Sequence, residues 1–228
     1  MLSQGALVQS IRNQSSHVIE DMSGGSLQAK IDEDFRRLAE PTSGITPLPV
    51  LRIWTNSQGL VTTRRLARRN DFARTASFFG ESGWPVGVRR TGGATMALGP
   101  GALNISLFHR TCTLKPDHGF QPLVRLLTRA LQHLGIDPVT GTIPGAICSG
   151  SYDLSVRGRK IGGLAAYARR RVETYWLVHA TVFVNCDLDS FVGRVSEFER
   201  MLGHKPRYRR AQHANLVEFA DARVGEVQ

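Results

Sequence analysis

Gly145-Ala146-Ile147-Cys148-Ser149-Gly150 puts a thiol on a glycine-flanked loop, and Lys160 follows twelve residues later in a Gly158-Arg159-Lys160 turn. A thiol can carry an acyl group as a thioester. A lysine close by can stabilise the charge that develops on the acyl oxygen. Glycines on either side of the cysteine let a ligand approach the backbone. If the residues between are strands of one hairpin, both groups can face one pocket. The alternative roles are structural: a small buried hydrophobe for Cys148, a solvent-facing hairpin lysine for Lys160.

A second place for chemistry is Arg89-Arg90-Thr91-Gly92-Gly93. A strand ending in two arginines and two glycines offers guanidinium and backbone N–H groups to an anion. It lacks the Gly-Lys-Ser/Thr of a phosphate-binding P-loop. His109 and His179 each sit on an alternating apolar stretch, where a base or a core histidine would both fit. No His-x-x-x-His pair and no Cys-x-x-Cys pair occurs, so the chain offers no recognisable metal set. Cys112 and Cys186 lie beside expected strands and read as small hydrophobes.

These residues need elements to hold them. Leu27, Ile31, Phe35 and Leu38 share one helical face, ended by Pro41 and Gly44. Pro47 and Pro49 mark a loop. Val50–Trp54 reads as a strand, residues 56–59 as a turn and 60–63 as the next strand. A short helix capped by Asn70 or Asp71 runs to Phe79. Strands follow at 84–90 and 102–109. Phe120, Leu123, Val124, Leu127, Leu131 and Leu134 predict an amphipathic helix closed by Gly135. Strands at 152–156 and 160–168 flank the Arg157-Gly158 turn, and 175–184 forms another. A helix with Phe191, Val195, Phe198 and Leu202 on one face runs over 188–202. Residues 203–228 are basic, then mixed, with helical character. Hairpins with a few helices predict an α+β domain of mixed, mostly antiparallel sheets rather than alternating βαβ units. Residues 1–23 are weakly periodic and read as an arm or partial helix. Residues 24–228 then make one domain.

The 228 residues are 41% hydrophobic, enough for a sizeable core, and exclude disordered or fibrous classes. Twenty-nine Lys and Arg against 19 Asp and Glu leave a net charge of +10. Such a field attracts acidic partners. Arg64, Arg65, Arg68 and Arg69, then Arg169–Arg171, then Arg207, Arg209 and Arg210, are candidate docking residues. Aromatic residues are 7% of the chain and are not interleaved with these runs, which makes nucleic acid an unlikely partner. Three sparse cysteines suit a reducing cytoplasm. Met1–His17 has no signal-peptide core, and no apolar run of about 18 residues predicts a membrane span.

Taken in order, three blocks resemble the lipoate-protein ligase and octanoyltransferase superfamily, which shares its fold with biotin-protein ligases. Val50-Leu51-Arg52-Ile53-Trp54 resembles its early Leu-Arg-x-Trp strand. Val88–Gly93 followed by Gly101-Ala102-Leu103-Asn104-Ile105-Ser106 resembles its Arg-Arg-x-x-Gly-Gly and Gly-x-x-Asn-x-Ser block. Gly158–Ala165 resembles its Gly-x-Lys block. Cys148–Ser155 resembles the Cys-Pro-Gly-x-Tyr-Asp-Leu-Ser segment of the amidotransferase branch, with Ser149 in place of proline.

The resemblance implies a biotin/lipoate-ligase-like catalytic domain that moves an octanoyl or lipoyl group between lysines of lipoyl-domain proteins. It implies Cys148 as nucleophile and Lys160 as the pocket lysine. Arg89, Arg90, Thr91, Gly92, Gly93, Asn104, Ser106 and Gly163 would bind substrate. Partners would be an acyl-donor protein and acidic lipoyl domains, of glycine cleavage H protein or of 2-oxoacid dehydrogenase E2 subunits. No cofactor is expected. The ATP-dependent ligases carry a further glycine and a histidine where this chain has Gly93-Ala94-Thr95-Met96-Ala97-Leu98, which argues against adenylate formation. An ATP-dependent ligase and a non-catalytic basic binding module remain the alternatives.

Overall fold

The structure is a computed structural model that describes residues 2–15, 17–22, 24–39 and 48–219. A seven-stranded sheet is its centre, with strand order β1-β2-β6-β10-β9-β8-β7. Its strands are β1 (Val18–Asp21), β2 (Val50–Trp54), β6 (Ala102–Thr111), β7 (Val139–Thr140), β8 (Leu154–Val156), β9 (Arg159–Arg170) and β10 (Thr174–Phe183). A second sheet has order β4-β3-β5, from β3 (Gly59–Thr63), β4 (Val86–Arg89) and β5 (Met96–Leu98).

Alternation along the central strands sorts the core into two halves. Leu51, Ile53, Leu103, Ile105, Leu107, Val178 and Val182 belong to one buried cluster. They meet Leu7 and Ile11 of α1 (Gln4–Arg12) and Leu123, Leu127 and Leu131 of α5 (Pro116–His133). The opposite half joins Val50, Trp54, Ala102, Phe108, Leu177 and Phe183 to Leu27, Ile31 and Phe35 of α2 (Leu27–Ala39). The small sheet, α4 (Phe72–Glu81) and α6 (Leu188–Met201) complete that half.

The α+β class with mostly antiparallel pairing is what the structure has, with β1–β2 and β3–β4 as parallel exceptions. Two sequence expectations change. The strands 50–54 and 60–63 do not pair as a hairpin but enter different sheets. Both are buried along their whole length, which a solvent-faced ribbon does not allow. The chain between β3 and β4 runs through α3 (Arg64–Ala67) and α4, so this part is a βαβ unit after all.

Residues expected as an arm or partial helix hold α1 and β1. Ser3 Oγ caps α1 by accepting from the Ala6 N–H at 3.1 Å. Ser10 Oγ donates to the Ala130 carbonyl of α5 at 2.8 Å, and β1 extends the sheet beside β2. The expected breaks at Pro41, Gly44 and Pro47 lie outside the described residues, as does 220–228. The described tail has only 3-10 turns, at Arg210–Gln212 and Leu216–Phe219. Among the described residues no helix is long and apolar enough to cross a membrane.

A buried ion cluster ties α2 over the sheet. Arg52 donates to Asp34 Oδ1 at 2.6 Å and to Asp21 Oδ2 at 2.5 Å, and Lys30 Nζ reaches Asp21 Oδ1 at 2.8 Å. Breaking one member would strand a charge in the core, so the cluster fixes the position of α2.

Candidate active site

Polar side chains of the central strands gather on the half that faces α2 and the small sheet. Asn104 pairs in register with Thr181, and Ser106 with His179. Thr181 Oγ1 donates to Asn104 Oδ1 at 2.9 Å. Their odd placement in apolar strands follows from period two: each sits where the strand turns away from α5.

Two adjoining cavities open on this half. One is lined by Ile31, Phe35, Trp54, Val61, Leu98 and Leu177, with Asp34, Arg89, Thr91, Asn104, His179 and Thr181 as polar members. The other is lined by Cys148, Gly163, Leu164, Ala165 and Met96. Arg89, His179 and Thr181 belong to both walls. An apolar chain in the first cavity would therefore have its reactive end near the sulfur.

Cys148 is half-buried on the loop between β7 and β8. Its φ is +45°, a backbone region that non-glycine residues seldom occupy. Sγ accepts from the Ala94 N–H at 3.2 Å and from Arg89 Nη2 at 3.4 Å. Sγ also donates to the Ala94 carbonyl at 3.5 Å, so the Gly-rich loop holds the thiol through both its donor and its acceptor side. Arg89 Nη2 also donates to the carbonyls of Gly92 and Ala94 at 3.0 Å, which ties the Gly-rich loop under the sulfur. Gly93 has φ +102°, and a Cβ there would stand 2.9 Å from both Sγ and Arg89 Nη2. Only glycine fits that place.

Lys160 is fully buried, not the solvent-facing hairpin lysine of the alternative reading. The turn before it has φ of +50° at Arg157 and +73° at Gly158, as a tight two-residue hairpin demands. Its Nζ pairs with Asp153 Oδ2 at 2.9 Å and donates to the Ile147 and Cys148 carbonyls at 2.9 and 3.0 Å. Burial pushes the Asp153 carboxyl above its usual range, against the pull of Lys160. The Cys148 loop is held from the other side by the tail. Arg209 N–H donates to the Gly145 carbonyl at 2.8 Å. His213 Nε2 accepts from the Ile147 N–H at 2.9 Å. Desolvation, with Lys160 adding to it, pushes His213 down to about 4, so its ring is a neutral acceptor. Glu199 of α6 accepts from the Thr95 N–H at 3.0 Å and from Tyr208 at 2.8 Å, joining the Gly-rich loop to the tail.

The sequence-expected residues separate as follows. Cys148, Arg89, Thr91, Asn104 and Gly163 line the two cavities. Gly93 touches the sulfur, and Lys160 touches the Cys148 carbonyl. Gly92 is exposed in the loop, with its carbonyl held by Arg89. Arg90 is exposed and lies over the Phe35 ring at 5.0 Å, in a separate groove with Tyr167 and Arg169.

Ser106 is not among the residues that line either cavity. It donates to Asp34 at 2.6 Å and accepts from Trp54 Nε1 at 3.2 Å, within the ion cluster. His109 stacks on Trp176 and bonds the Gly119 carbonyl, away from the sulfur. His179 does line the site, bonded to Thr91 Oγ1 at 2.8 Å. Desolvation, then Arg89, pushes it down to about 3. Cys186 is buried, its thiol pushed up to about 12 by desolvation, whereas Cys112 is exposed rather than packed. Among the described residues no group of three His, Cys, Asp or Glu could hold a metal ion.

Asp153, His213, Glu199 and Tyr208 were not expected in the site. Asp153 had a signal, since it lies inside the cysteine segment. The other three come from the tail and α6, far along the chain, and only the fold brings them in.

The Lipoyl protein ligase A/B catalytic domain family matches residues 31–227. An octanoyl-[GcvH]:protein N-octanoyltransferase of Kyrpidia tusciae is 30% identical over 209 residues, 85% of this chain and 69% of that protein. The protein of the same name from Anoxybacillus flavithermus is 29% identical, covering 84% of this chain and 70% of its own. Among solved structures, lipoate-protein ligase A bound with ATP superposes with a TM-score of 0.68 at 20% identity, over 90% of this chain and 78% of that one. At that identity the likeness concerns the fold alone.

Proposed function

Because this chain belongs to the Lipoyl protein ligase A/B catalytic domain family, we propose that it transfers an octanoyl or lipoyl group onto a lysine of a lipoyl-domain protein through a thioester on Cys148. The observation that carries the reading is the sulfur's position: in a cavity that shares Arg89, His179 and Thr181 with the neighbouring, mainly apolar one, and under two N–H donors. The relatives' name specifies octanoyl transfer from GcvH.

Cys148 Sγ attacks the acyl carbonyl of the donor, and the donor's leaving group departs. The apolar cavity holds the chain. Arg89 and the Ala94 N–H, which hold the sulfur at rest, are the nearest donors for the oxyanion that forms on the attacked carbonyl. The ε-amine of the acceptor lysine then resolves the thioester. No nucleotide takes part, since the acyl group arrives already activated or is exchanged amide for amide.

The acceptor is an acidic lipoyl domain, of glycine cleavage H protein or an E2 subunit. A basic surface supports this. Arg64, Arg65, Arg68 and Arg69 are exposed at α3. Arg69 Nη2 lies 3.3 Å from where a Gly203 Cβ would stand, and Arg209 Nε lies 3.0 Å from the corresponding point at Gly145. The positive surface thus runs from α3 along the tail to the cysteine loop, where it would steer an acidic domain.

The test is intact-mass measurement after incubation with an octanoylated H protein. The expected result is an octanoyl adduct on the wild type that hydroxylamine removes and that Cys148→Ala lacks. An adduct that survives Cys148→Ala, or transfer that requires ATP, overturns the reading.

A further inference from the structure

Arg90 and Arg169 line one surface groove, together with Phe35, Leu38 and Tyr167. Among the described residues neither guanidinium meets a carboxylate. Arg90 lies over the Phe35 ring at 5.0 Å, and Phe35 meets Tyr167 edge to face at 5.6 Å. The ring holds the guanidinium in place, so a planar guest finds part of the fork's freedom already lost.

The groove continues the candidate active site. Gly163, Ala165, Tyr167 and Arg169 follow one another on one face of β9. The first two line the cavity of Cys148, and the last two line the groove. Their partners across the ladder to β10 keep the same order: Thr181 and His179 in the cavity wall, then Leu177 and Tyr175. Phe35 lines both the groove and the mainly apolar cavity. Four residues separate Ala165 from Arg169, about 13 Å along a strand. The two unpaired cations therefore stand a short stretch of chain away from the place where the thioester would be resolved.

We propose that Arg90 and Arg169 bind a carboxylate of the acceptor protein, an Asp or Glu side chain close in sequence to its target lysine. The inference rests on the acceptor reading above and adds a fixed contact to it, apart from the surface at α3 and the tail. Two guanidiniums on an aromatic floor match a carboxylate in charge and in planar, two-pronged shape. A net charge of +10 attracts an acidic domain from every side. A pair of held arginines orients it, and so selects which lysine arrives at Cys148. An extended segment covers 13 Å in about four residues, which places the acid within about four positions of the lysine.

The test first measures binding of the unacylated full chain to unmodified H protein and to an E2 lipoyl domain by calorimetry at low salt. It then loads the chain with octanoyl-N-acetylcysteamine and compares transfer to the tighter-binding protein with transfer to Nα-acetyl-lysine N-methylamide. In the double variant Arg90→Gln with Arg169→Gln, the dissociation constant is expected to rise roughly fivefold or more. The ratio of protein to small-lysine transfer is expected to fall by a similar factor. Unchanged binding overturns the inference, as does an equal loss with both acceptors, which marks a role in the acyl site instead. Arg64→Gln with Arg65→Gln removes the same charge at α3, and an equal rise there marks a diffuse field and also overturns it. Against Arg169→Glu, changing an acidic residue near the acceptor lysine to arginine should restore part of the lost affinity. No restoration by any such change overturns the pairing. A groove filled by a second copy of this chain would appear in sedimentation as a dimer that the double variant disperses, which overturns the inference too. A wild type that binds neither protein instead overturns the acceptor reading, and one that never acylates on Cys148 overturns the thioester reading.

Discussion

The ammonium of Lys160 lies 3.0 Å from the carbonyl oxygen of Cys148, so it grips the backbone of the residue whose sulfur would carry the acyl group. All its donors are engaged, by that carbonyl, the Ile147 carbonyl and Asp153. Lys160 therefore sets the shape of the loop as well as its charge.

Lys160→Met is expected to destabilise the fold by about 3 kcal/mol or more, because Asp153 is left buried and uncompensated. Adding Asp153→Asn should recover part of that loss. Urea unfolding of both single variants and the double variant measures the coupling. Strict additivity would show that the pair does not act as a unit.

Arg89→Met removes a cation 3.4 Å from the sulfur and frees the Gly-rich loop. Alkylation of Cys148 by iodoacetamide should slow roughly tenfold, in a Cys112→Ser background because Cys112 is exposed. An unchanged rate would mean that the guanidinium serves only the loop.

Gly93→Ala meets both a positive φ and a clash with Sγ. Acyl-enzyme formation should fall at least tenfold, with a stability cost of about 1 kcal/mol or more. Thermal melting and intact mass read the two effects separately. Normal loading would show that the loop yields without moving the sulfur.

The acid limb of stability should depend on His213. Its folded value is about 4 against an ordinary 6.5. Between these values the unfolded chain binds a proton that the folded chain refuses, so stability falls as pH drops through that window. The loss from this group is complete below about 4. It amounts to roughly 3 kcal/mol at most. His213→Gln keeps an acceptor for Ile147 without titrating. Its urea midpoint should change less between pH 6.5 and 4 than that of the wild type. Parallel curves would remove His213 from the account.

The local elements were legible because their signals are local. Leu27, Ile31 and Phe35 do form one helical face, and Leu103, Ile105 and Leu107 do alternate in a strand. The pairing of strands was less legible. Nothing in residues 50–63 says that β2 will find β6, about fifty residues on, while β3 finds β4 across two helices. Burial of every residue in both strands decides it, and burial is a property of the assembled chain. In the site, Cys148, Gly93 and Lys160 could be found because motif and glycine spacing mark them. Ser106 carried the same kind of signal, yet it bonds Asp34. A short polar side chain on the cavity-facing half of a strand can serve an ion cluster or a ligand, and spacing alone does not distinguish them. Glu199, Tyr208 and His213 left no signal, because their role exists only once the tail crosses the cysteine loop.

That crossing sets the timing of maturation. The Cys148 loop obtains its bonds from Arg209 and His213 only when chain more than sixty residues downstream has folded back over it. A nascent polypeptide stalled before that stretch leaves the ribosome would present the thiol on a loop held by Lys160 but not yet closed by Arg209 and His213, and full competence would wait for those two residues.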